Sequence, residues 1–228
     1  MSFLSELSDF LFPRFCLSCN EKLNTKQKYF CLGCSKKLKE AETHFIKKEY
    51  QRKFASDNII SGLFSLYVFE ADQPIQDIIH HLKYGKRFRA GIFLGKQVGA
   101  KLLKTFPESN IDIFIPVPLF HSKEAERGFN QSDFIARGIS KVYGKPVKTD
   151  ILKRVKNTKT QTKLNITERM ENMDGAFIIS NPEIIRGKTI AMADDVITTG
   201  ATIKECAKVL KQNGAKDVFA VSVAITNI

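Results

Sequence analysis

Residues 191–202 read AMADDVITTGAT, an apolar run that ends in Asp194 and Asp195 and passes through Val196, Ile197, Thr198, Thr199, Gly200 and Ala201 to Thr202. Adjacent carboxylates repel, so a fold tolerates them only where water, a cation or a set of donors receives them. The residues before the pair have the composition of a buried strand. Those after it set Ile203, Cys206, Ala207 and Leu210 at helical spacing. A strand passing into a helix through hydroxyls and one glycine gathers backbone N–H groups and the side chains of Thr198, Thr199 and Thr202 at the helix N-terminus. That is a cup for a phosphate monoester. Gly200 lets the main chain approach such a phosphate closely. Each carboxylate can accept from one hydroxyl of a ribose diol, so ribose 5-phosphate suits both halves of the stretch. The alternative is a polar loop with no ligand. Neither G-x-x-x-x-G-K-[ST] nor a strand-linked G-x-G-x-x-G occurs, which argues against a P-loop NTPase and a dinucleotide fold.

Cysteine supplies the second constellation. Cys16 and Cys19 form one C-x2-C and Cys31 and Cys34 another, with eleven residues between the pairs. Two such knuckles aim four thiolates at one point, as tetrahedral zinc requires. An all-thiolate site is closed, so it organises the segment and activates no water. A redox CxxC or two disulfides are the rival readings, the second disfavoured in a reducing compartment. Cys206 stands apart and reads as a buried thiol on a packing face.

The chain has 36 Lys and Arg against 24 Asp and Glu, a net charge of +12, and the whole excess lies in residues 1–172. Between residues 80 and 104 there are seven basic residues and no acidic one. Such a field suits nucleic acid, anionic lipid or a polyphosphate, or is simply a solvated lysine-rich face. No apolar run approaches the roughly 18 residues of a membrane span. MSFLSELSDFLF lacks the basic start and cleavage site of a signal peptide, so the expectation is a cytoplasmic protein without membrane insertion.

These residues need a scaffold. The pattern predicts strand structure over 59–69 and a helix over 73–84, whose Ile75, Ile78, Ile79 and Leu82 form one stripe with His80 and His81 as ordinary neighbours. A further helix follows from Gly85. After residue 109 come a strand at 111–117, a helix at 129–143, a strand at 188–193, the helix after Thr202 and a last strand, DVFAVSVAI. Alternation of this kind calls for an α/β fold, a parallel sheet flanked by helices. Residues 1–50 are expected to form the four-cysteine zinc module with its linker, and residues 51–228 the sheet domain. The basic stretch 36–57 reads as a solvated helix or linker.

IAMADDVITTGAT resembles the signature of type I phosphoribosyltransferases. IIHHLKYGKRF at 78–88 ahead of the sheet, IPVPLFHSKEAERGFNQ at 115–131, LKRVKNTKTQTKLNITERMENMDGAF at 152–177 and the double CxxC are together similar to the ComF family, over nearly the whole chain. Asn20 stands where that family often has glycine, and asparagine also tolerates the left-handed conformation. The resemblance implies a phosphoribosyltransferase-like sheet that binds phosphoribosyl pyrophosphate with Mg²⁺ through residues 194–202. It further implies a pyrophosphate turn served by Arg127 and Gly128, and a mobile lid over 154–172 bearing Lys156, Lys159 and Arg169. Asp194, Asp195, Arg127 and Lys159 are the implied catalytic group. Membership of the ComF family implies a role in DNA uptake, with single-stranded DNA and a helicase-like competence protein as partners. The strand is expected on the zinc module, on residues 80–104 and on the lid. Tyr29, Phe30, Phe45, Tyr50 and Phe54 are either stacking platforms or core. The alternative is an active enzyme that transfers 5-phosphoribosyl to a nucleobase or other nitrogen nucleophile and releases pyrophosphate.

Overall fold

The computed structural model describes residues 13–156 and 175–227. Four strands, β1 (Gly62–Phe69), β2 (Ile113–Pro116), β5 (Thr189–Ile197) and β6 (Asp217–Thr226), form a sheet of order β1-β6-β5-β2 in which every pairing is parallel. β3 (Leu152–Arg154) and β4 (Phe177–Ile179) make a separate antiparallel ribbon. Parallel neighbours need crossovers, and helices supply them. In chain order the helices are α1 (Leu32–Lys37), α2 (Thr43–Lys53), α3 (Pro74–Tyr84), α4 (Phe88–Thr105), α5 (His121–Arg127), α6 (Gln131–Tyr143) and α7 (Ala201–Gln212).

β5 and β6 are small or β-branched through most of their length and buried on both faces, as central parallel strands must be. One face is covered by α3, α4, α6 and the cysteine module, which bring Ile78, Leu94, Ile135 and Leu17 against Ala191 and Val221. The other is covered by α2, α7 and the ribbon, with Phe54, Ile203, Leu210 and Phe177 around Met192 and Val218. The backbones of α4 and α6 touch. A Cβ on Gly95 would fall 2.1 Å from the Ile135 carbonyl oxygen, and one on Gly138 would fall 2.3 Å from that of Ile92. Only glycine permits that approach.

The expected strands and helices are present, with three differences. β5 does not stop at residue 193: Asp194 pairs with Ser222, and Val196 and Ile197 with Ala224 and Ile225, so both aspartates lie within the strand. The helix expected from 129 starts at Gln131, and α5 precedes it unforeseen. HSKEAER has no buried residue and therefore no apolar periodicity to read. Third, 36–57 holds a helix, one of the two forms expected, but it is packed on the sheet rather than merely solvated. Residues 39–41 hydrogen-bond along the edge of β1, Ala41 N–H to Leu66 O at 2.9 Å and Val68 N–H to Lys39 O at 2.9 Å. α2 then buries Ile46 and a Glu49 that is paired with Lys53 at 3.2 Å, and it spans the expected domain limit at residue 50.

The N-terminal aromatics are largely spent on packing. Phe30 and Phe54 are buried, Tyr29 lies 5.0 Å from the Phe93 ring, and the Tyr50 hydroxyl donates to Ile60 O at 2.8 Å. Phe45 packs against the second core cluster. None is an open stacking surface. Among the described residues no helix is long and apolar enough to cross a membrane.

The sulfurs of Cys16, Cys19, Cys31 and Cys34 lie within 4.8 Å of one another. Cys19 Sγ and Cys31 Sγ are 3.6 Å apart, far beyond a disulfide bond. Zn–S bonds near 2.3 Å in a tetrahedron put sulfurs roughly 3.8 Å apart, so the cluster fits zinc. Amides point at the sulfurs, Cys31 N–H to Cys16 Sγ at 3.3 Å and Cys34 N–H to Cys31 Sγ at 3.4 Å. Burial resists ionisation of Cys16, yet the backbone hydrogen bonds of Cys31, Ser18 and Cys19 bring its thiol down to about 7. Asn20 takes the left-handed turn at φ 60°. Leu17 and Phe30 join the core cluster of α3 and α4, and Ser18 Oγ donates to Asp77 at 2.8 Å. The module is therefore docked on the sheet domain. Elemental analysis of protein purified without chelator should find one zinc per chain. Cys31→Ser should lower both zinc content and the melting temperature of the whole domain, because loosening the module uncovers apolar surface on α3 and α4.

Candidate functional site

The site forms where β5 ends and α7 begins. Ser132, in the first turn of α6, donates from Oγ to Asp194 Oδ1 at 3.1 Å, and the Asp195 N–H donates to the same oxygen at 2.8 Å. Asp195 is 3% exposed. Its Oδ1 accepts from Val196 N–H at 2.7 Å, and its Oδ2 lies 3.2 Å from Lys83 Nζ, at the end of α3. That Oδ2 accepts no hydrogen bond among the described residues. A buried carboxylate oxygen that faces a cation and still lacks a donor has acceptor capacity for a ligand hydroxyl. The ladder explains the geometry: Asp195 has no register partner between Asp194 and Val196, so local amides turn to the carboxylates.

Beyond Ile197 the chain turns through exposed Thr198 and half-buried Thr199 to Gly200, at φ +81°. A Cβ on Gly200 would meet Phe54 Cε1 at 2.6 Å. Its bareness thus serves packing from below and a left-handed turn, beyond the close ligand approach that the sequence suggests. α7 has no side-chain cap on its N-terminus, and Thr199 Oγ1 accepts only a long 3.4 Å bond from Ala201 N–H. Its first amides therefore remain available to an anion beside the hydroxyls of Thr198 and Thr202. Thr226 Oγ1 donates to Thr198 O at 3.3 Å, and Lys204 pairs with Asp57 at 2.8 Å. Those contacts tie down both ends of the loop. The side chains of Val196 and Ile197 pack into the two cores and offer the site backbone only.

Cations line the mouth. Lys123 is pushed below the usual lysine range by burial and then by the charges of Arg154, Arg127 and Lys83. Three cations within electrostatic reach of Lys123 mark a place for a multiply charged anion. Arg127 is the last residue of α5; it donates to Gln131 Oε1 at 2.9 Å, and its guanidinium lies 5.2 Å from the centre of the Tyr84 ring. Gly128 turns the chain at φ +79°, and Asn130 caps α6 at Ser132 N–H while donating to Val117 O at 3.0 Å. β2 and α6 are thereby locked together beneath Arg127.

Of the expected site residues, Asp194, Asp195, Arg127 and 196–202 are described. Lys156 is exposed beside Gly175, while Lys159, Arg169 and lid residues 157–172 lie outside the described residues. Sequence reasoning passed over Lys83, Lys123, Ser132 and Arg154. Lys83 stands inside IIHHLKYGKRF directly after the apolar stripe of α3, Lys123 inside IPVPLFHSKEAERGFNQ and Arg154 inside LKRVKNTKTQTKLNITERMENMDGAF, whereas Ser132 falls just outside the quoted segments.

Part of Asp194 stays accessible, yet the surrounding protein desolvates its carboxyl, and this together with the charge of Asp195 raises its pKa to about 7. The unfolded chain loses that proton near the ordinary aspartate value, so between about pH 4 and pH 7 the native state binds more protons and its stability falls as pH rises. Asp194→Asn keeps the acceptor for Ser132 and removes the charge. Thermal melts should show this variant stabilised over the parent, by more at pH 8 than at pH 5.

The phosphoribosyl transferase domain family matches residues 125–227, from the end of α5 to the end of β6. Competence protein F of Haemophilus influenzae is 36% identical over 108 residues, 47% of this chain and 47% of that protein. DNA utilization protein YhgH of Escherichia coli K12 is 30% identical over 148 residues, 64% of each chain. Competence protein ComFC of Streptococcus pneumoniae is 31% identical over 161 residues, 69% of this chain and 66% of that protein. The chain thus spans about half to two thirds of the length of these relatives. With the parallel sheet, the carboxylate pair and the thiol cluster in place, the chain is a member of the ComF family with a phosphoribosyltransferase-like domain.

Proposed function

We propose that this protein works in DNA uptake in the cytoplasm, binding phosphoribosyl pyrophosphate or ribose 5-phosphate at residues 194–202 and single-stranded DNA on its basic surface. A helicase-like competence protein is the partner that delivers the strand. The names of the relatives and the phosphoribosyl transferase match support the setting. The observation that carries the ligand is the unsatisfied Asp195 Oδ2 beside the uncapped N-terminus of α7. In this reading Asp194 and Asp195 accept from the ribose hydroxyls, and the Thr198–Thr202 loop receives the 5-phosphate. Lys83 pairs with Asp195 at 3.2 Å and orients its carboxylate. Zinc at Cys16, Cys19, Cys31 and Cys34 is structural.

The cation cluster of Lys83, Lys123, Arg127 and Arg154 favours a second reading, in which the same site transfers the 5-phosphoribosyl group to a nucleobase or other nitrogen nucleophile. A diphosphate leaving group needs such a field, because negative charge grows on it as the bond to C1 breaks. Lys159 belongs to this reading as a lid cation. Mg²⁺, bound with phosphoribosyl pyrophosphate next to Asp194 and Asp195, would screen the diphosphate from the carboxylates.

Calorimetry with phosphoribosyl pyrophosphate and Mg²⁺ tests the first reading. The parent should bind, and Asp195→Ala together with Asp194→Ala should weaken binding roughly tenfold or more, since each charged hydrogen bond contributes about 1.5–3 kcal/mol. Equal affinity in the double variant would show that the diol sits elsewhere. Pyrophosphate release on adding a panel of nucleobases would establish the second reading.

A further inference from the structure

Outside the pocket, the α3–α4 junction lies within the basic stretch 80–104 on which the strand is expected, and its side chains give that expectation a geometry. Tyr84 is 55% exposed and Phe88 44% exposed, large aromatic surfaces left in water one turn apart in sequence. The turn between them is strained, for Lys86 holds φ at +49° without being glycine. A Cβ on Gly85 would fall 2.7 Å from the His81 carbonyl oxygen. The turn projects Lys86, Arg87 and, just beyond it, Arg89, all exposed and without an ion pair among the described residues. Phe88 continues into a row of rings, 5.3 Å from Phe134, which is in turn 5.7 Å from Phe129. Tyr84 lies between the His80 ring at 5.0 Å and the Arg127 guanidinium at 5.2 Å. Lys83, the residue before Tyr84, is the one that reaches Asp195.

A fold exposes aromatic rings among unpaired cations at a cost, and the pairing has a recognisable use: bases stack on the rings while the cations follow the phosphates. The geometry points to a track for unpaired bases across this junction, with Tyr84 and Phe88 as stacking platforms, Lys86, Arg87 and Arg89 as phosphate contacts, and the Tyr84 end opening at the mouth of the 194–202 site. This placement rests on the single-strand reading above and sharpens it. The stacking surface lies on α3 and α4, whereas the rings of the cysteine module and α2 are largely packed inside. Duplex DNA offers no free base faces, so the track selects single strands.

Fluorescence anisotropy of a labelled oligothymidylate over a salt series separates the parts. Tyr84→Ala with Phe88→Ala should weaken binding roughly tenfold or more with the salt slope unchanged, as stacking contributes about 1–3 kcal/mol per base. Tyr84→Trp should retain affinity. Lys86→Ala with Arg87→Ala should instead reduce the salt slope by ~1.4, at ~0.7 for each phosphate contact on a single strand. All substituted side chains are exposed, and thermal melts at the parental temperature confirm folding. If the aromatic variant binds as the parent does, or a duplex of equal length competes equally well, the track is wrong while DNA binding stands. If the parent itself does not bind the oligonucleotide, the single-strand reading fails and takes the track with it.

Discussion

Two carboxylates on consecutive residues of a buried strand are the constraint around which the rest of this molecule is arranged. Mutual repulsion and lost hydration both act against them, and no single donor can serve both. Asp195 is met by Lys83 from the end of α3, and Asp194 by Ser132 from the start of α6. Both helices must therefore deliver a particular terminus to the same strand. For α6, the glycine contact with α4 does this: Gly95 and Gly138 bring the two backbones together, and a single methyl group at either would lever the Ser132 end away. Asn130 completes the fix by joining the α6 cap to the end of β2. What looks like helix packing is thus part of the electrostatics.

The loop between β5 and α7 obeys a parallel logic from the opposite face. A left-handed residue at 200 excludes most side chains, since a Cβ there costs roughly 1–2 kcal/mol. Phe54 then occupies the space that a Cβ would need. With Asp57 bound to Lys204, the end of α2 and the residues after it form a floor beneath the loop. The loop can leave its amides uncapped because its shape is held by packing rather than by those amides. Pre-organisation of this kind spares a ligand the cost of ordering the loop.

How far this was readable in the sequence varies with the kind of information involved. The stripe of Ile75, Ile78, Ile79 and Leu82 predicts α3 closely, because periodicity and burial coincide there. The thiol cluster was legible from spacing alone, since ligand geometry is a local property. The end of β5 was not: paired aspartates are poor strand formers, and only the ladder to Ala224 and Ile225 carries the strand past them. Nor was the fate of 36–57 legible, where a lysine-rich helix hides Ile46, Glu49 and Phe54 against a sheet formed later in the chain. In the site, the carboxylates and the loop are contiguous and could be read. Lys83, Ser132 and Lys123 arrive from other elements, and no local pattern records a meeting made by tertiary packing.

The place of the cysteine module follows from the same dependence on termini. Tyr29 and Phe30 pack on Phe93 near the start of α4, and Ser18 holds Asp77 near the start of α3. These contacts grip the two helices on either side of the 84–88 turn. That turn sets Lys83 toward Asp195 and keeps Lys86 in a conformation that a free chain avoids. A small core alone would hold a strained turn poorly, whereas four clustered thiols, closed on a metal ion that they fit, would add a rigid anchor without needing further apolar surface. The cysteine module therefore bears on the carboxylate pair through α3 and α4, and residues early in the chain help position two aspartates of its last third.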